Sequence, residues 1–89
     1  MDIEEIEDAL TVRDKDWALK VLEAGGVVAI AAKRDDTAWG TYKLVKDRLC
    51  YWNTSAVTGR WVRSGHGDAR SLLSDLHEDA TFSRDIDHE

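Results

Sequence analysis

Apolar residues recur at spacings of three and four over residues 2–10, where Ile3, Ile6 and Leu10 share a stripe. That stripe predicts a short amphipathic helix. Thr11 followed three residues later by Asp14 resembles a capping box, and it predicts a second helix starting near Val12. Trp17, Ala18, Val21 and Leu22 would form its apolar face, and the glycines of "AGG" suit its C-terminal cap. The pattern then changes. "VVAIAA" from Val27 is β-branched and nearly all apolar, as a buried central strand requires.

From Thr41 onward polar and apolar residues alternate with the period of a strand. "RDDTAWG" breaks the chain before that segment, with Asp35 and Asp36 favouring a turn, and "KDR" makes a tight connection after it. "LCYWN" predicts a third strand, "TSAVTG" a turn or bulge, and "RWVRS" a fourth strand. "GHGD" ends the sheet, with Asp68 placed to cap a last helix carrying Ala69, Leu72, Leu73, Leu76 and Ala80 on its apolar side. The expected fold is therefore α+β, in the order ααββββα. Two N-terminal helices and one C-terminal helix pack mainly on one face of a small antiparallel sheet of three to four strands. Residues 1–80 are expected to form a single domain. Residues 81–89 are expected to be a short acidic tail, frayed or docked through Phe82 and Ile86.

Eighty-nine residues make one domain with a modest core, which argues against a large enclosed active site. No apolar run is long enough to span a bilayer, and the opening "MDIEEIEDAL" is acidic where a secretory signal would be basic and then apolar. Cys50 is the single cysteine, so no internal disulfide can form. A cytoplasmic, reducing setting with no membrane association is expected. The twelve Asp against six Glu, and seven Arg against five Lys, suit a protein kept hydrated in concentrated salt. A GC-rich genome produces the same bias.

Charge changes the picture most. The net charge is −6, yet residues 27–66 carry seven bases against three acids, while 1–26 and 67–89 each carry −5. The residues Tyr42–Arg63 also hold four of the seven aromatics. Alternation places Arg48, Cys50 and Trp52 on one side of the third strand, with Leu49, Tyr51 and Asn53 on the other; in the fourth, Arg60 and Val62 oppose Trp61 and Arg63. Trp39, Lys43, Lys46, Arg48, Tyr51, Trp52, Arg60, Trp61 and Arg63 are therefore the candidate binding residues. Their unremarkable alternative is structural. Tryptophans on a small sheet often belong to the core, and sheet cations often pair with carboxylates on the helices that cross them.

Three uses of such a surface differ in class. The first is a protein partner, since aromatic and Arg side chains anchor interfaces; the acidic net charge favours this reading, and a Trp on an edge strand would equally build a homodimer. The second is single-stranded nucleic acid, with indoles stacking bases and Lys or Arg holding phosphates. No ribonucleoprotein motif, helix-turn-helix signature or zinc finger accompanies it. A variant inverts the charges: Asp2, Glu4, Glu5, Glu7 and Asp8 with Asp75, Glu78 and Asp79 would imitate phosphates and occupy a nucleic-acid-binding site on another protein. The third is chemistry. Cys50 and His66 are sixteen residues apart, and successive histidines His66, His77 and His88 eleven apart, which matches no compact zinc arrangement. "AGG" lacks the lysine and helix of a phosphate loop. Neither a cofactor nor a metal nor catalysis is expected. The sequence points to a small binding or regulatory protein.

Overall fold

Each of the three α-helices among the described residues begins at an aspartate. In the computed structural model, which describes residues 2–31, 40–53 and 59–89, these are α1 (Ile3–Ala9), α2 (Lys15–Glu23) and α3 (Ala69–Asp75). The Asp2, Asp14 and Asp68 carboxylates accept from the N–H groups of Glu5 at 2.9 Å, Trp17 at 2.9 Å and Ser71 at 2.8 Å. Each satisfies one of the donors that a helix start leaves open. The Ser71 N–H in turn holds the Asp68 carboxyl below its ordinary range.

Asp14 corrects the expected start of the second helix. It is the cap itself and not the third residue of a box opened by Thr11, so α2 begins at Lys15 and Val12 stays 68% exposed. The far end of α2 closes as the glycines imply. Gly25, at φ +92°, donates to the Leu22 carbonyl at 3.0 Å, and Gly26 donates to Val21 at 2.9 Å. This is the paired arrangement of a Schellman cap, which needs the left-handed conformation that glycine adopts without strain.

The strands are β1 (Val28–Ala31), β2 (Gly40–Val45), β3 (Arg48–Asn53), β4 (Arg60–Arg63) and β5 (Thr81–Arg84). They form one antiparallel sheet in the order β4-β3-β2-β1-β5. The α+β class stands, but the sheet has five strands where three to four were expected. The fifth comes from the residues read as a tail: β5 returns past α3 to pair with β1, Ala29 opposite Ser83 and Ile30 opposite Phe82. A two-residue connection joins β2 to β3, with Lys46 at φ 52° and Asp47 at φ 65°. Two successive left-handed residues give the hairpin a turn whose twist matches the sheet. The breaks expected at "RDDTAWG" and "TSAVTG", with Arg34 and Trp39, fall almost wholly outside the described residues, as does Lys33.

One face of the sheet supplies the core. Val28, Ile30, Tyr42, Leu49 and Phe82 meet Trp17, Ala18, Val21 and Leu22 of α2, with Ile6 of α1 and Leu72, Leu73 and Leu76 around α3. Each large side chain fully buried there contributes roughly 1.5–3 kcal/mol. Phe82 belongs to this core at 8% exposure, whereas Ile86 is 68% exposed, so the C-terminal segment docks through Phe82 alone of the two expected anchors. No helix among the described residues is long and apolar enough to cross a membrane.

Candidate binding face

Strand period fixes what the opposite face carries. Because Tyr42, Tyr51 and Val62 share a row with buried Val28, the intervening residues point away from the helices. The registers place Lys43 opposite Cys50 and Cys50 opposite Arg63, Val45 opposite Arg48, and Trp52 opposite Trp61. Lys43, Arg48, Trp52, Trp61 and Arg63 therefore lie together on this outer face, and Lys46 adjoins it in the hairpin turn. Tyr51 and Arg60 do not join them. Tyr51 packs against the core, and Arg60, opposite Asn53, shares the helix-side row. Trp39 lies outside the described residues.

The two indoles are in contact. Their ring centroids are 5.3 Å apart with planes at 69°, the edge-to-face arrangement that the aromatic quadrupole favours. Lys43 Nζ sits 4.7 Å from the Trp61 ring centroid, a cation–π contact. A third ring completes the cluster: the His88 imidazole lies 5.0 Å from Trp52 and 6.4 Å from Trp61. His88 Nδ1 is 2.7 Å from Asp85 Oδ2, within hydrogen-bond distance. His88 was expected in a tail. It reaches this face because β5 and the single 3₁₀ turn Ile86–His88 bring the C-terminal residues back under the sheet.

Apart from Lys15, whose Nζ donates to the Leu76 carbonyl, the described cations fall into two sets. On the helical side Arg13 pairs with Glu7, Lys20 with Asp16, Arg70 with Glu23, and Arg84 with Glu4, Glu7 and Glu89. Lys43, Lys46, Arg48, Arg60 and Arg63 make no ion pair with any of the described residues. Of the described sheet cations, Arg84 of β5 pairs with helix carboxylates and those of β2, β3 and β4 do not. Cys50 lies among them, 8% exposed and outside the main core cluster, shielded by its cross-strand neighbours Lys43 and Arg63.

Gly59 fixes the Trp52 position. At φ +70°, a Cβ added there would fall 2.4 Å from Trp52 Cζ2. Gly59→Ala is expected to push the Trp52 indole off Trp61 while leaving the helix-side core intact. Loss of near-ultraviolet exciton signal with unchanged far-ultraviolet signal checks this; an unaltered near-ultraviolet spectrum would contradict the packing.

No protein-family model matches this chain, and comparisons with curated proteins and with solved structures give no match either. Among the described residues no group of three or more His, Cys, Asp or Glu is placed to hold a metal ion.

Proposed function

We propose that this is a small binding protein that recognises an acidic segment of a protein partner through its outer sheet face. One observation carries the reading: on the outer face Lys43, Arg48 and Arg63 share the sheet with a tryptophan pair and make no ion pair with the described residues, whereas Arg13, Lys20, Arg70 and Arg84 on the helical side are paired. Unpaired Arg beside partly buried Trp is the composition of an interface anchor. The −5 ends would repel an acidic partner from every other approach, steering it to this face.

The ring geometry favours protein over single-stranded nucleic acid. Base stacking needs open ring faces. Here Lys43 sits over Trp61, and Trp52 meets both the Trp61 ring and His88. A partner approaching such a cluster meets charge and ring edges first.

The test is affinity capture with the wild-type chain, repeated with Trp52→Ala, Lys43→Glu and Arg60→Ala, followed by reconstitution with the purified partner. Trp52→Ala and Lys43→Glu are each expected to weaken binding at least tenfold, and binding should weaken as salt rises. Arg60→Ala, on the opposite face, is expected to change nothing. Folded Trp52→Ala and Lys43→Glu variants that retain every partner would refute the reading. Trp52-dependent fluorescence quenching by oligo(dT) at micromolar concentration would replace the protein partner with nucleic acid.

A further inference from the structure

Beside the tryptophan pair, at the hairpin end of the same face, Val45, Lys46, Arg48, Cys50 and Arg63 line an open depression of about 410 Å³. Among the described residues no carboxylate lines it. Its three cations make no ion pair with the described residues, in a chain whose net charge is −6. We propose that this depression is a binding site for a doubly charged oxyanion, a phosphate monoester carried on the partner's segment.

Charge selects the group. Three cations facing a carboxylate would leave two positive charges uncompensated, whereas a phosphate monoester brings −1.5 to −2 near neutral pH and three acceptor oxygens. The planar forks of Arg48 and Arg63 match phosphate oxygens two at a time, and Lys46 adds a point charge. Lys46 is held there by its left-handed turn conformation. Volume selects the carrier. At ~30 Å³ per water the depression has room for about a dozen waters, more than one inorganic anion fills. Val45 and the Cys50 thiol supply an apolar floor for the carbon chain that bears the ester. The site rests on the reading of the outer face as the working face, and it specifies what that face reads.

The experiment is an amide NMR titration of the full chain with sodium phosphate against sodium chloride at matched ionic strength. Two peptides follow, acetyl-Gly-phosphoserine-Gly-amide and the same peptide with glutamate. Phosphate and the phosphopeptide should shift the amides of Lys46, Arg48, Cys50 and Arg63 to saturation. The phosphopeptide should bind about tenfold more tightly than the glutamate peptide, and its advantage should shrink below about pH 6 as the phosphate gains a proton. Arg48→Gln with Arg63→Gln, shown folded by their remaining unchanged amide peaks, should abolish both sets of shifts. Equal shifts with chloride, or equal binding of the two peptides, would overturn the site. Inorganic phosphate binding as tightly as the phosphopeptide would overturn its assignment to a partner. None of these outcomes alters whether capture depends on Trp52, so failure here is distinct from failure of the face.

Discussion

Trp17→Ala is expected to lower the stability of the domain by about 3–5 kcal/mol, the range for emptying a fully buried indole site. Trp17 has no exposed surface and sits on α2 at the centre of the contact between helices and sheet. An 89-residue domain has roughly 4–13 kcal/mol in total, so this one change consumes a large part of it. The urea midpoint should fall with little change in slope, because the surface exposed on unfolding stays nearly the same. Trp17→Phe should lose less than half as much. The Trp17 Nε1 group is buried and has no hydrogen-bond partner among the described residues, so phenylalanine keeps most of the ring contact and removes an unsatisfied donor. What phenylalanine does lose includes part of the contact with Arg13, whose guanidinium carbon lies 5.2 Å from the indole centroid. A Trp17→Ala protein within 1 kcal/mol of wild type would mean that the core is not centred where the structure puts it.

The features legible in the sequence are those set by near neighbours. Asp68 announces a helix start because a cap acts over three residues, whereas Asp14, expected as the third residue of a box opened by Thr11, is itself the cap. The period of two separates Trp52 from Tyr51 and Trp61 from Arg60 without any coordinates. The excess of positive charge on the sheet is a matter of counting. Whether those cations are paired is not, since a sheet lysine and a helix glutamate meet only in three dimensions. The fifth strand was hidden for the same reason. "TFSR" is short, and its inward-facing positions are Phe82 and Arg84, so the helix-side row of β5 includes a charged residue. An inward arginine breaks the apolar alternation that marks a strand. It is tolerated because carboxylates at positions 4, 7 and 89 converge on it, a convergence that exists only after folding. His88 inherits the same blindness: nothing local in "DIDHE" says that its imidazole will lie against tryptophans more than twenty residues away.

Arg84→Gln is expected to cost about 2–3 kcal/mol and to detach the C-terminal residues from both faces of the sheet. The Arg84 side chain is only 14% exposed. Its Nε and Nη2 groups donate to Glu89 Oε1 and Oε2, each at 2.8 Å, a bidentate pair of the strong kind. Nη1 faces Glu7 at 3.5 Å and Glu4 at 3.9 Å. Glutamine would leave three carboxylates without their shared cation. It would also free Glu89, whose Oε1 accepts from the Val27 N–H at 3.3 Å and so ties the chain's last residue to the start of β1. With that clasp open, His88 is kept on Trp52 by the Asp85–His88 contact, ring packing and the Asp85 N–H bond to the Val27 carbonyl, and the indoles should report its loosening by a change in emission. The same clasp predicts an acid transition. The Arg84 hydrogen bonds hold the Glu89 carboxyl below its ordinary value of 4.5, with the Val27 N–H acting in the same direction and burial against it. Because the folded value is the lower one, the stabilisation is fully present above about pH 4.5 and is lost as pH falls through the folded value. Tryptophan emission of the wild type should therefore change in that acidic window. Glu89→Gln should remove that component of the change and resemble Arg84→Gln at neutral pH, and the double variant should be less destabilised than the sum of the two by at least 1 kcal/mol. Strict additivity would show that the two side chains act independently, and His88 would then owe its place beside the tryptophans to something other than this ion pair.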